Sequence, residues 1–243
     1  MKYILIILSA FVFNEILLNI YCRIEEIIDK KMRNKRETNC LPLQQQDKTL
    51  NEEVGIFRRV YRWLNSYMYG YMRTNIILVG KIPSHRIRKF LYKYIFRMKI
   101  KRETIICGGA EIRSPWNIKI GKSTIASNCI LDGRGGIEIG DNVVFGSGVH
   151  VWTEEHDVND PWFRVMSQNR QPVIVKDRAW VCSDVTLLPG VIIGEGTVVA
   201  ARGCVTKACD DYGIYAGVPA KKISERNREL EYNLDGKPVW HFL

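Results

Sequence analysis

The sequence predicts a mainly β fold, a parallel β-helix led in by helices, and three observations predict it. A six-residue beat of leading residues runs through the second half of the chain. Gly directly follows several of them. Before about residue 104 the apolar residues recur at helical spacing instead.

The beat leads on Ile120, Ala126 and Asp132 and, after one extra residue, on Ile139, Phe145 and Val151. It lapses through 154–172 and resumes at Val175, Val181, Leu187, Ile193, Val199 and Val205 without a slip. Six residues make one short strand and a corner, and three such sides make one triangular coil. The leading aliphatics point into the prism. Gly in "IGKS", "IGDN", "FGSG" and "IGEG" relieves crowding where the backbone turns. Coils stack at the strand separation of ~4.8 Å. A sandwich of alternating strands has period two and cannot produce six unbroken hexads.

In chain order, residues 1–36 form an apolar, then basic, segment. Its eleven-residue run Tyr3–Phe13 is broken only by Ser9. A membrane span wants about 20 apolar residues, so this is a marginal span: either a membrane-associated helix or one that packs on its own protein. Residues 37–53 are polar and aperiodic and read as a linker. Residues 54–103 hold two basic amphipathic helices. One carries Ile56, Val60, Trp63, Leu64, Tyr67 and Met68; the other starts after Ser84 with Ile87, Phe90, Leu91, Tyr94, Ile95 and Met98 on one stripe. The β-helix spans 104–211 with a loop at 154–172. A tail, 212–243, ends the chain, and its "SERNRELEY" is expected as a short helix over the open end of the prism.

The net charge of +10 is uneven: residues 1–102 carry 21 Lys/Arg against 8 Asp/Glu, and 103–243 carry 15 against 18. Any acidic partner is therefore met by the front of the chain. The expected one is a membrane surface, through residues 1–100, and no nucleic acid. The basic run "DKKMRNKRE" favours a cytoplasmic location, free or at the inner face of the membrane. Seven cysteines without a CxxC pair exclude a disulfide framework or a zinc ribbon.

Four stretches, "LDGRGG", "IGDNVVFGSGVHVWTEEHD", "PVIVKDRAWVCSDVTLLPGVIIGEGTVVAARGCVTK" and "YAGVPAKKI", resemble the hexapeptide-repeat acyltransferases. The branch is that of the maltose, galactoside and nodulation sugar O-acetyltransferases. "IPSHRIR" and "LDGRGG" are closer to acyltransferases of capsule and exopolysaccharide clusters. The resemblance implies a left-handed β-helix and a homotrimer with active sites between subunits. It also implies acetyl-CoA as co-substrate, a sugar or glycan hydroxyl as acceptor, a role in surface polysaccharide biosynthesis, and no metal.

The resemblance makes His156 the general base. It sits in the last slot of the hexad led by Val151, where the loop leaves the prism. Neutral imidazole suits that task near neutral pH. Asp132 is the favoured partner for its other nitrogen, with Glu154, Glu155 and Asp157 as alternatives. Asn128, Asp157 and Trp162 are candidate acceptor contacts. By the same resemblance, Trp180, Ser183, Ala201, Thr206, Lys207 and Lys221 meet CoA, the two lysines as charges for its phosphates. Two other classes use such prisms. A metal hydrase like the gamma carbonic anhydrases needs three histidines per zinc, and only His150 and His156 lie in the repeats. A non-catalytic scaffold needs neither the loop histidine nor the lysines.

Overall fold

The computed structural model describes residues 2–38, 56–163, 165 and 170–237. From residue 39 onward, the expected linker lies outside them. The chain forms two compact units, Met1–Asn75 and Ile76–Leu243.

In the first unit, α1 (Lys2–Thr38) runs antiparallel to the greater part of α2 (Ile56–Gly80). Tyr21 donates to Asn65 at 3.0 Å and Asn14 to Asn75 at 3.4 Å. Leu18, Cys22 and Met72 are buried, while Phe11, Phe13 and Ile16 on α1 and Trp63 and Tyr67 on α2 are exposed. Among the described residues no helix is long and apolar enough to cross a membrane.

In the second unit the end of α2 leads to α3 (His85–Tyr94) and then to five coils of three strands. These are β1 (Lys99–Ile100), β2 (Ile105–Ile106) and β3 (Glu111–Arg113); β4 (Ile118–Ile120), β5 (Thr124–Ile125) and β6 (Ile130–Asp132); β7 (Ile137–Ile139), β8 (Val144–Phe145) and β9 (His150–Val151). The last two coils are β10 (Val173–Val175), β11 (Trp180–Val181) and β12 (Thr186–Leu187), then β13 (Ile192–Ile193), β14 (Val198–Val199) and β15 (Cys204–Val205). A hairpin of β16 (Gly213–Ala216) and β17 (Lys221–Glu225) closes the stack. The coils build three parallel sheets: sheet 1 is β1-β4-β7-β10-β13, sheet 2 is β2-β5-β8-β11-β14-β16 with β17 antiparallel at its end, and sheet 3 is β3-β6-β9-β12-β15.

The register shows why the beat is six. Ile125, Phe145, Val181 and Val199 stack in one column, and Leu131, Val151, Leu187 and Val205 in another, all buried. Two leading positions need correction. Ala126 and Asp132 do not fill the columns; Ile125 and Leu131 do, because the corner before β5 is one residue short. A methyl group or a carboxylate would leave the column underpacked, which close-packed interiors do not tolerate.

From sheet 2 to sheet 3 every step between inward residues is six: Ile106 to Ile112, Ile125 to Leu131, Phe145 to Val151, Val181 to Leu187, Val199 to Val205. Insertions occur only where sheet 3 hands over to sheet 1, an edge we call 3/1. There "SPWN" (114–117), "GRGG" (133–136) and the long loop after Val151 lie in successive coils.

The tail also differs from expectation. Residues 226–237 hold no helix. After β17 the chain descends along the edge between sheets 1 and 2. Arg226 N–H donates to Tyr212, the Tyr232 hydroxyl donates to the Arg178 carbonyl at 2.8 Å, and Leu234 N–H donates to Asn142 Oδ1 at 2.9 Å. "SERNRELEY" has no apolar stripe to bury, and the corner carbonyls offer it partners. At that end of the prism β16 continues sheet 2 and β17 pairs with it at the sheet edge, all five of its residues exposed.

Candidate active site

The loop that interrupts the beat rises from the 3/1 edge, and its base is clamped. Thr153, fully buried, donates from its hydroxyl to the Asp132 carbonyl at 2.5 Å and accepts from Gly135 N–H at 2.7 Å. Gln171 N–H donates to the Thr153 carbonyl at 3.0 Å, and Glu154 bridges Arg170 across the neck. The Glu154 carboxylate lies between the guanidinium groups of Arg134 and Arg170. Arg134 in turn holds Asp132, with Nη2 at 2.6 Å from Oδ2 and Nε at 2.8 Å from Oδ1. This chain, Asp132–Arg134–Glu154–Arg170, explains "LDGRGG". Arg134 reaches up to the loop, and a Cβ on Gly135 would stand 2.5 Å from the Thr153 carbonyl and 2.8 Å from that of Gln171.

Above the clamp the loop closes on itself. The Asp157 carboxylate accepts from Asn159 N–H at 2.9 Å and the Asp157 carbonyl from Asp160 N–H at 3.2 Å. The Asp160 carbonyl accepts from Phe163 N–H at 2.8 Å, around a turn with Asp first and Pro161 second, the residues such turns prefer. The circuit ends on the histidine. His156 Nδ1 lies 2.7 Å from the Phe163 carbonyl, and its ring stacks on that of Phe163 at 4.4 Å and 3°. A carbonyl only accepts, so Nδ1 carries a hydrogen, and in the neutral ring Nε2 holds the lone pair.

Asp132 therefore does not meet His156: it is fully buried and engaged by Arg134. The orienting group is a backbone carbonyl seven residues downstream, which sequence reading missed. Its only trace was the "DPWF" turn that brings the carbonyl back. The Phe163 ring has one face taken by His156. Asp157 braces the loop, and Trp162 stands 77% exposed.

The remaining candidates fall on different parts of the prism. Thr206 and Lys207 follow β15 on the 3/1 edge, in coils beyond the loop. Asn128, Ser183 and Ala201 lie on the edge between sheets 2 and 3. There Gly109, Asn128, Gly148, Asp184 and Arg202 stack as a column of left-handed residues, φ +58 to +78°. Trp180 is on sheet 2, 48% exposed, and Lys221 begins β17. In a triangular prism, sheet 2 is the face opposite the 3/1 edge. One chain thus holds the histidine and most of the CoA candidates apart.

Four of the thiols are poorly suited to act as nucleophiles. Burial pushes Cys129 up to about 12 and Cys209 up to about 11, and raises Cys107 and Cys182. All four are protonated, and weak nucleophiles, at neutral pH.

No protein-family model matches the chain. Among curated proteins it is 32% identical over 143 residues to the Escherichia coli K12 protein named "Putative colanic acid biosynthesis acetyltransferase WcaF", covering 58% of this chain and 76% of that one. A Schizosaccharomyces pombe protein that also carries an acetyltransferase name is 33% identical over 118 residues, 47% of this chain and 56% of that one. Among solved structures, a hexapeptide-repeat acetyltransferase of Vibrio cholerae, complexed with acetyl-CoA, superposes with TM-score 0.58 at 20% identity, over 72% of this chain and 91% of that one. A maltose O-acetyltransferase of Clostridium difficile superposes with TM-score 0.57 at 23% identity, over 66% and 87%. These likenesses identify the coil as the left-handed β-helix. With that fold and that sequence similarity, the chain belongs to the hexapeptide-repeat acetyltransferase family.

Proposed function

We propose that the protein transfers an acetyl group from acetyl-CoA to a hydroxyl of a sugar, nucleotide-sugar or lipid-linked glycan in surface polysaccharide synthesis, with His156 as general base. The observation that carries the reading is the hydrogen bond from His156 Nδ1 to the Phe163 carbonyl, which leaves Nε2 as the base. Nε2 takes the proton of the acceptor hydroxyl while its oxygen attacks the thioester carbonyl. The tetrahedral intermediate collapses, the C–S bond breaks, and the imidazolium returns its proton to the leaving CoA thiolate. No covalent acyl-enzyme is needed.

The active unit is a homotrimer. The 3/1 edge of one copy, with His156, Thr206 and Lys207, faces the edge of its neighbour that carries Asn128, Ser183 and Ala201, with Trp180 beside it. Lys207 and Lys221 then serve the CoA phosphates as point charges. The enzyme works on the cytoplasmic side, as the basic run after the apolar start of α1 favours. The names of relatives in colanic acid synthesis and maltose acetylation support a glycan acceptor.

The test is thioester cleavage with a panel of hexose, nucleotide-sugar and amino-sugar acceptors, beside His156→Ala. Turnover with a hydroxyl acceptor that is lost in the variant is expected. Undiminished turnover in His156→Ala sinks the mechanism, and transfer only to amino sugars makes the enzyme an N-acyltransferase. No turnover by the intact protein returns the prism to the scaffold class.

A further inference from the structure

Helix α3 buries an arginine and leaves part of its apolar surface exposed. His85, Arg88, Leu91 and Tyr92 face inward, and Arg88 is completely buried. Its guanidinium donates to the Pro83 carbonyl at 2.9 Å and to the Ile106 carbonyl of β2 at 3.0 Å, pinning the helix to the first coil. The apolar stripe read from the sequence is split: Leu91 and Met98 are buried, while Ile87, Phe90 and Tyr94 are 52%, 57% and 55% exposed. At 100° per residue, Phe90 stands at the centre of the outward face, with Tyr94 and Ile87 to one side and Arg86 and Lys93 to the other. The Phe90 and Tyr94 rings pair at 5.0 Å, and Lys93 Nζ lies 5.7 Å from the Tyr94 ring.

The charge of this stretch of chain has one sign. Residues 76–102 contain nine Lys/Arg and no Asp/Glu. Of these, Arg88 is spent on carbonyls, Lys89 on the Arg102 and Thr104 carbonyls, and Lys101 on Asp141. Arg86 is exposed and Lys93 half-buried beside the aromatic pair. An apolar centre rimmed by cations, on a helix held rigid from behind by its own arginine, has the chemistry of an interfacial membrane helix. The rings enter the headgroup boundary while the basic side chains meet lipid phosphates.

We propose that the outward face of α3, centred on Phe90 and Tyr94 with Arg86 and Lys93, docks the protein on an anionic lipid bilayer. A second copy of the chain is the less fitting occupant, because it would bring two cationic rims together.

The experiment is flotation of the full chain with vesicles of phosphatidylglycerol mixed into phosphatidylcholine, and with phosphatidylcholine alone, so its readout is independent of acetyl transfer. Binding to the anionic vesicles is expected, weakened by salt. Phe90→Ser/Tyr94→Ser should lower it at least about tenfold, from the apolar area lost. Arg86→Glu/Lys93→Glu should lower it by about fivefold or more per charge, from the usual contribution of one cation near such a surface. These side chains are solvent-facing, so melting and transfer to a soluble acceptor stay at the parent values. Unchanged binding in both α3 variants overturns the proposal, as does equal binding to neutral vesicles. Trp63→Ser/Tyr67→Ser on α2 is the control: loss of binding there, with α3 variants intact, assigns docking to the helical hairpin instead. If Phe90→Ser/Tyr94→Ser changes the oligomeric state by light scattering while vesicle binding persists, the face is a contact between copies and the proposal fails.

Discussion

Two edges of the same prism obey different rules. On the edge between sheets 2 and 3 each coil turns in the same six residues, through a stacked left-handed column that includes Asn128, Gly148 and Asp184. On the 3/1 edge three successive coils break the count, with "SPWN", "GRGG" and the long loop. The ladders survive because each insertion leaves and returns at a corner, between strands. A solenoid therefore has a place where sequence can be added without loss of register, and here that place carries the histidine.

Predictions that test this contrast run from large to small. At the irregular edge, His156→Asn should lower transfer by about 10²–10⁴-fold, the usual contribution of a general base, with no change in melting temperature. A parallel loss of melting temperature would make the loop structural instead. Below it, Arg134→Ala strands the buried Asp132 carboxylate and half of the Glu154 clamp. It should cost about 3–5 kcal/mol in urea unfolding, the range for breaking a buried ion pair from one side. Faster proteolysis within 154–170 should accompany it.

At the regular edge, Gly148→Ala places a Cβ on a residue at φ +69° and against the Asp184 carboxylate. It should cost about 1–2 kcal/mol, from the left-handed conformation, and leave loop proteolysis unchanged. Equal loop proteolysis in Gly148→Ala and Arg134→Ala would falsify the separation of the two edges.

The smallest effect lies on the third edge. Asp141 is held below the ordinary aspartate range by its bonds to Lys101 and to the backbone N–H of Lys122. A carboxylate with a depressed folded pKa stabilises fully above its unfolded value of ~3.9 and loses that contribution as pH falls through the lower folded value. Asp141→Asn should therefore flatten the acid limb of stability against pH without altering the plateau shape near neutrality.

Much of this organisation is legible in the sequence. The hexads from Val175 to Val205 state the fold, and the lapse after Val151 marks the loop. The second coil misleads, because Ala126 and Asp132 keep the count while Ile125 and Leu131 do the packing. Counting cannot detect a corner shortened by one residue. The partner of His156 was hidden for a different reason: every residue has a carbonyl, so composition cannot single out that of Phe163. The carboxylates beside the histidine drew attention, yet the structure uses Glu154 for the clamp and Asp157 for a turn. The helix α3 inverts a rule in the same way. Half of its apolar stripe, Ile87, Phe90 and Tyr94, faces out, while Arg88 turns inward to three carbonyls.

The sequence by itself determined the coil, its period and the point where the coil is interrupted, because these rest on side-chain size at fixed spacing. Only the tertiary structure decided which groups meet at that interruption. Hydrogen bonds to backbone carbonyls and the choice of partner for each carboxylate depend on how the chain folds back, and residue type does not encode that path.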